Sequence, residues 1–376
     1  MLETLHQHRR PLTLLLALAV LVILADVFAF GIAHVDTASY TDQITSMRHG
    51  TFLSSDQAAE YRAFKPLYAT VGIALPFLSP DLILLGMNAL FLCGLGIIMY
   101  FFLLELGFAA TYAFLGGVWT LIGYPALQFG FALGTDISGW FFAPLTMLIV
   151  LVAIRKNENR LLVLASLVGF LGAASKETGV IGLFFGGLYL LLRYPREGFD
   201  RTLRSLIALC LPFCILEGIL LLAIHFSGLI GFAGWVGLNN GLYESVHTVK
   251  FFLGAELATF NILWLLVLAG AYALARKSIV LGRERALQLT ALFVAALPVI
   301  EWPAFNDRIL FSQFFIVVPL ALLGAQCVTD TFAAPTHKRW FWYALYALPL
   351  IASIALVLIG GHDGIYALLH RLAHRV

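Results

Sequence analysis

Nine residues of this chain have the types and the spacing to act on a phosphate-linked substrate. Asp36 lies in a polar stretch, HVDTASYTDQITSMRHGTFLSSDQAAEYRAFKP from His34 to Pro66, the longest polar interruption in a very apolar sequence. Tyr40 stands about one helical turn after it, and Arg62 and Lys65 close the stretch. Farther on come Asp136, then Lys176 beside Glu177, then Asp307 beside Arg308. A positioned carboxylate takes the proton of an attacking hydroxyl, and fixed cations neutralise a departing phosphate. The set therefore fits transfer of a group from a phosphate to a hydroxyl. Asp36 would be the base, and Lys65 and Arg308 the phosphate partners, with Arg62 and Lys176 behind them. Asp136, Glu177, Asp307 and Tyr40 would orient the substrate.

All of these residues but Tyr40 also have an ordinary structural reading. Asp36 suits the N-cap of the helix that follows it, and Asp136 the cap of a later one. Arg62 and Lys65 sit where cations snorkel to lipid headgroups. Lys176 with Glu177, and Asp307 with Arg308, can simply pair with each other. Clusters of both charges recurring on one side of the chain weigh toward the chemical reading.

The elements that must hold these residues are membrane spans. Hydrophobic residues make up 61% and charged residues 12% of the 376, against roughly 45–50% and about 25% in a soluble domain. A bilayer-crossing helix needs roughly 20 apolar residues. Apolar runs fall at about 11–33, 80–104, 108–126, 137–154, 161–174, 179–193, 206–227, 257–275, 286–300, 309–328 and 341–360. The expectation is an all-α polytopic membrane protein with about eleven spans. Residues 1–376 would form one transmembrane domain, with the external loop 34–66 carrying the site. The first run, behind Arg9 and Arg10, is too long for a signal-peptide core and reads as a retained anchor. Leu67 to Leu78 is too short to cross and reads as a re-entrant or interfacial piece. The stretch from Ala173 to Gly179 reads as a hinge whose Lys-Glu pair marks a polar cavity, because lipid tolerates irregular backbone only in such places.

Charge gives the orientation. Arg9, Arg10, Arg155, Lys156, Arg160, Arg193, Arg196, Arg201, Arg204, Arg276, Lys277, Arg283, Arg285, Lys338 and Arg339 fall in alternate links. The positive-inside rule makes that side cytoplasmic. The N-terminus is then cytoplasmic and the candidate site extracytoplasmic, in a multi-pass protein of the inner or plasma membrane. A net charge of +2 and the lack of a long basic run give no reason to expect nucleic acid. Cys93, Cys210, Cys214 and Cys327 lie inside apolar runs and are expected to be buried packing residues without disulfides. Asp26 and Glu217 lie within spans, where acids usually face the bundle interior. His34, His225 and His247 have no ligand spacing. The loop from Ser227 to Ala255 has Trp235, Asn239, Asn240, Tyr243 and Glu244 to cover the cavity, bind an acceptor or anchor at the interface.

A first span, then a loop with Asp36, Tyr40 four residues on and Gly50 near the end of the intervening helix, resembles the first external loop of the GT-C glycosyltransferases. Those multispan enzymes take sugars from polyprenyl-phosphate donors. Lys65-Pro66-Leu67-Tyr68 is similar to the Lys/His-Pro-Pro-Leu-Tyr segment that closes that loop in the aminoarabinose-transferase and protein-mannosyltransferase branches. Thr135-Asp136, Ser175-Lys176-Glu177-Thr178, and Asp307-Arg308 before an apolar run ending near Pro319 also look like the family. The resemblance covers about the first 330 residues in order and topology. It implies sugar transfer with inversion from a polyprenyl-phosphate donor, with Asp36 as base. Three departures stand out: Thr37 where many relatives carry a second acid, a single proline at Pro66, and no large soluble C-terminal region of the oligosaccharyltransferase kind. Thr37 leaves open whether a divalent metal takes part; no other cofactor is expected.

The expected partners are a polyprenyl-phosphate-linked sugar donor, a glycan, lipid or protein acceptor in the cell envelope, and membrane lipids. Two other readings stay open: a transporter or flippase of a lipid-linked intermediate, and an inactive relative serving as a membrane partner. Transport needs a polar path across the whole bilayer, whereas the polar residues here gather at one side. There is also no obvious internal repeat of the kind transporters carry.

Overall fold

Apolar runs broken by short polar links fold here as helices joined by turns. The computed structural model describes residues 8–32, 36–50, 63–227, 249–276, 280–300, 307–332 and 338–360, with no strand among them. α1 (Arg9–Ala25) continues into a π-helical turn, Asp26–Phe30. Two short helices follow, α2 (Thr37–Arg48) and α3 (Leu67–Ala74). α2 buries Tyr40 and Ile44 and exposes Asp42. Just past it, Gly50 turns the chain at φ +71, a conformation natural to glycine after a helix end. Arg48 ties α2 to α3. Its Nε donates to Gly72 O at 2.9 Å, and its NH2 to Leu75 O at 3.1 Å and Leu78 O at 2.6 Å. Gly72 lies in the last turn of α3, whose carbonyls have no helical partners, and Leu75 and Leu78 follow that helix.

The rest of the described chain is α4 (Pro80–Glu105), α5 (Ala110–Ile122), α6 (Tyr124–Phe129), α7 (Asp136–Lys156), α8 (Asn159–Ala173), α9 (Ile181–Glu197), α10 (Phe199–Phe226), α11 (Val249–Phe260), α12 (Leu263–Ala275), α13 (Arg283–Ile300), α14 (Asp307–Leu310), α15 (Phe314–Phe332) and α16 (Lys338–Ile359). A 3₁₀ turn, Glu177–Val180, leads into α9, and another, Phe311–Gln313, joins α14 to α15.

The chain is an all-α polytopic membrane protein. Among the described residues, seven helical stretches are long and apolar enough to cross a bilayer, or eight if α11 and α12, bent by 95°, count as one broken span. The difference from about eleven lies in four expected runs. Runs 108–126 and 161–174 fold as α5 and α8, with 13 and 15 residues. Those helices are about 20 and 23 Å long, short of a hydrocarbon core of about 30 Å. Run 257–275 is broken at the bend, and 286–300 belongs to α13, whose first three residues, Arg283, Glu284 and Arg285, are all charged. Run 67–78 forms only the eight residues of α3.

Burial divides the helices into centre and edge. The apolar window of the stretch Asp307–Asp330 is 89% buried, while that of α10 is 11% buried. α10 exposes Leu203, Ile207, Leu211, Ile215, Ile219 and Phe226, a stripe at helical spacing suited to lipid. Cys210 and Cys214 are exposed on this helix, contrary to the expectation that they are buried; Cys93 and Cys327 are half-buried. α12 meets α15 through two glycines. A Cβ on Gly324 would fall 1.8 Å from Leu266 O, and one on Gly270 would fall 2.5 Å from Leu320 O. Small residues that let backbones touch are a membrane-helix device.

Candidate active site

Four helical stretches begin at one site. Asp36 holds the N-cap position of α2, Asp136 is the first residue of α7, Glu177 opens the turn into α9, and Asp307 opens α14. Helix N-termini carry partial positive charge and favour anions. Carboxylates at these positions are therefore locally reasonable, but the side chains of Asp36, Asp136 and Glu177 enter ion pairs instead. The Asp36 side chain makes no capping hydrogen bond to α2. Its Oδ2 lies 3.5 Å from Arg308 NH1 instead.

From there an unbroken chain of alternating charge runs inward. Arg308 NH1 also reaches Asp136 Oδ2 at 3.0 Å, and Asp136 Oδ1 lies 2.8 Å from Lys176 Nζ. Lys176 Nζ stands 3.7 Å from Glu177 Oε1, and Glu177 Oε2 is in direct contact with Lys65 Nζ. Three acids and three cations make the chain neutral. Side-chain exposure is greatest at one end, 29% at Asp36 and 16% at Arg308, and is 3–8% at the other four members. The open end is Asp36 with Arg308; the Lys65 end is sealed.

Local sequence explains how these residues meet. The hinge before α9 is a tight reversal in which Lys176 N donates to Gly172 O at 2.8 Å and Gly179 N to Lys176 O at 2.8 Å. Gly172 and Gly179 pack backbone to backbone, since a Cβ on Gly179 would fall 2.5 Å from the Gly172 carbonyl carbon. Gly139 on α7 leaves room for the hinge to lie against that helix; a Cβ there would meet Thr178 Oγ1 at 2.2 Å and Lys176 Cγ at 3.0 Å. That approach brings Lys176 onto Asp136. Leu67 N donates to Ala174 O at 2.9 Å and Gln43 Nε2 to Lys65 O at 3.4 Å, fixing Lys65 between the hinge and α2.

The loop into Asp136 is held from several sides. Phe131 N donates to Asp26 Oδ2 at 3.2 Å and Leu133 N to Ile32 O at 2.9 Å. Asn88 Nδ2 donates to Ala132 O at 2.6 Å and Gly134 O at 2.9 Å, and Tyr68 Oη donates to Asn88 Oδ1 at 2.7 Å. Thr37 Oγ1 donates to Leu133 O at 3.2 Å, and Thr135 Oγ1 to Tyr40 Oη at 2.6 Å. Arg308 is braced by Trp140 Nε1, which donates to its carbonyl at 3.2 Å, and by the Phe129 ring, 5.6 Å from the guanidinium carbon. Burial alone would push the Lys176 ammonium toward neutrality, but Asp136 and Glu177 outweigh it and raise its pKa above the usual lysine range. Lys176 therefore stays charged at neutral pH.

The structure brings together six of the nine expected residues in this ion chain: Asp36, Arg308, Asp136, Lys176, Glu177 and Lys65. Tyr40 borders it through Thr135. Asp307 is buried, and its carbonyl accepts from Thr259 Oγ1 at 3.5 Å. Arg62, His34, Glu244, His247, Glu301 and the loop residues Trp235, Asn239, Asn240 and Tyr243 lie outside the described residues. Sequence reasoning missed Asn88, although a lone amide in the 80–104 apolar run is the kind of intramembrane polar residue that marks a site. It also missed Glu256, buried with its Oε1 accepting from Gln313 Nε2 at 2.6 Å, because Glu256 falls just outside the expected 257–275 run.

No protein-family model matches the chain, and no curated protein is significantly similar to it. Among solved structures, it is similar to the oligosaccharyltransferase of Archaeoglobus fulgidus in the apo form, with a TM-score of 0.58 at 13% identity over 93% of this chain. The same protein in complex with zinc and sulfate gives a TM-score of 0.55 at 13% identity over 91%. The chain spans about half of that protein's length, 56% and 53% in the two comparisons. At this identity the likeness is one of fold, and it agrees with the GT-C architecture expected from the sequence; it does not distinguish branches within that fold. A metal bound by Asp36 and Asp136 does not fit the arrangement in this chain. Both acids have an oxygen on the same Arg308 nitrogen, and no group of three or more His, Cys, Asp or Glu among the described residues is placed to hold a metal.

Proposed function

We propose that the protein is an integral membrane glycosyltransferase that moves a sugar from a polyprenyl-phosphate donor to a hydroxyl acceptor on the extracytoplasmic face, with inversion. The observation that carries this reading is the open end of the ion chain, where Asp36, a carboxylate, touches Arg308, a cation held in place by Asp136. Binding of the sugar parts Asp36 from Arg308, their contact being the most exposed in the chain. The acceptor oxygen then attacks the anomeric carbon from the Asp36 side as the bond to the phosphate oxygen breaks. Asp36 takes the acceptor's proton. Arg308 and Lys176 receive the charge left on the phosphate.

Lys65 has a different part in this mechanism from the one its sequence position gives it. Sealed against Glu177, it positions Glu177, and through it Lys176, rather than touching the phosphate. An apolar groove of about 310 Å³ runs between α9 and α10, lined by Val180, Leu183, Leu188, Phe213 and Cys214. It starts three residues beyond Glu177 and supports a place for the donor's isoprenoid chain. The test is donor consumption by purified protein with a panel of labelled polyprenyl-phosphate sugars and crude membrane acceptors. Loss in both Asp36→Asn and Arg308→Ala is expected. Transfer at the wild-type rate in Asp36→Asn would overturn the mechanism, and lipid movement across proteoliposomes without sugar transfer would replace it with a transporter.

A further inference from the structure

We infer that Arg308 stands in place of a divalent cation in this site, so that the chain handles its anionic substrate group with its own cations and no metal. The inference concerns the same site, and its catalytic consequence rests on the transferase reading; its binding consequence does not. The two carboxylates nearest the open end converge on one nitrogen, with Asp36 Oδ2 at 3.5 Å and Asp136 Oδ2 at 3.0 Å from Arg308 NH1. Two hard oxygens from different segments meeting at one point is how a protein holds a magnesium or manganese ion. Here that point is filled by a guanidinium. The other Asp136 oxygen is on Lys176 at 2.8 Å, so an ion claiming Asp136 would displace or stand beside two resident cations.

Two further observations oppose a metal. The residue after Asp36 is Thr37, and its hydroxyl donates to Leu133 O, so no second acid completes a ligand set there. Arg308 is also anchored rather than free to swing aside. Its side chain is 16% exposed, its carbonyl accepts from Trp140 Nε1, and its guanidinium lies against Phe129. A planar guanidinium suits a phosphate as well as it suits two carboxylates. It can therefore do the electrostatic work of a metal without dissociating.

The experiment uses the full chain purified in detergent. Manganese(II) binding is titrated by electron paramagnetic resonance for the wild type, Arg308→Gln, Arg308→Lys and Arg308→Gln with Asp36→Asn. The wild type and Arg308→Lys are expected to show no stoichiometric manganese site. Arg308→Gln, with the resident charge gone, should bind manganese at least about tenfold more tightly than the wild type, and the added Asp36→Asn should remove that gain. In parallel, farnesyl phosphate binding to the wild type is measured in excess chelator and in manganese, with equal affinity within about twofold expected. Stoichiometric manganese binding by the wild type that Asp36→Asn abolishes would overturn the inference. So would a tenfold loss of farnesyl phosphate affinity in chelator, a result that does not depend on any variant folding. Metal-free farnesyl phosphate binding with no sugar transfer from any donor would instead sink the transferase reading and leave this inference standing.

Discussion

At the scale of single residues, the charged side chains of an apolar protein announce themselves, and Asp36, Asp136, Lys176, Glu177 and Arg308 were all legible. Their pairing was not. Neighbours in sequence look like partners, yet Lys176 sits closer to Asp136 (2.8 Å) than to Glu177 (3.7 Å), and Glu177 touches Lys65. Adjacent residues in a turn splay apart, and only the tertiary fold decides what each then faces. Lys65 reads in the sequence as a phosphate ligand because it closes the first loop; in the structure it is buried against Glu177, and the mechanism proposed above gives it a positioning part. Removing one member of a buried pair costs about 3–5 kcal/mol, whereas replacing both with apolar or neutral groups can cost far less. Lys65→Met should therefore lower thermal stability sharply, and Lys65→Met with Glu177→Gln should recover much of it; a double mutant cycle by thermal melting in detergent measures the coupling. Asp36→Asn keeps the shape of the site and removes the base. We expect at least a hundredfold loss of transfer, roughly the size of a general-base contribution, with the melting temperature unchanged.

Lys176 also sets a pH dependence. Its pKa is raised in the folded protein by Asp136 and Glu177, so its contribution to stability is complete below the unfolded lysine value of about 10.4 and is lost only as pH rises through the higher folded value. The melting temperature should show no fall attributable to this residue between pH 7 and 10. A drop in that window that disappears in Lys176→Met would contradict the charge assignment.

At the scale of elements, helix periods and apolar lengths were readable, and close approach was not. Whether a run of apolar residues crosses or stops short depends on where the backbone breaks, as at the 95° bend between α11 and α12. The hinge before α9 was visible as a polar interruption, but its geometry rests on glycines that do chemistry only by being small. In Gly179→Ala the new methyl meets Gly172 backbone at 2.5 Å, which cannot swing away, so the hinge must open and carry Lys176 off Asp136. We expect a loss of about 1–3 kcal/mol together with weakened activity. Gly86→Ala on α4 meets nothing within 4 Å and is the control, expected to be neutral in both assays.

At the scale of the molecule, α7 links two charged ends. Asp136 starts it, and Arg155 and Lys156 finish it, about 30 Å apart at 1.5 Å per residue, the thickness of a hydrocarbon core. At the far end Arg155 pairs with Glu105, with NH2 to Oε1 at 2.7 Å. The basic end is the one the positive-inside rule would keep in the cytoplasm. In intact cells a membrane-impermeant maleimide should then label Asp42→Cys, and should reach Lys156→Cys only after permeabilisation. The opposite pattern would invert the proposed orientation.

The ion chain also has a history in biosynthesis. Its members come from positions 36, 65, 136, 176, 177 and 308, and a ribosome delivers them in that order. Asp136 can meet Lys176 as soon as the hinge before α9 has been made, and Lys65 is already waiting for Glu177. Arg308, which joins Asp36 to Asp136, arrives long after both acids have been committed to the membrane. Until it does, Asp136 and Glu177 have their lysines, and the contact between Asp36 and Arg308 is still to form. The step that completes the open end of the ion chain is thus a late one, falling after α9 and before α15.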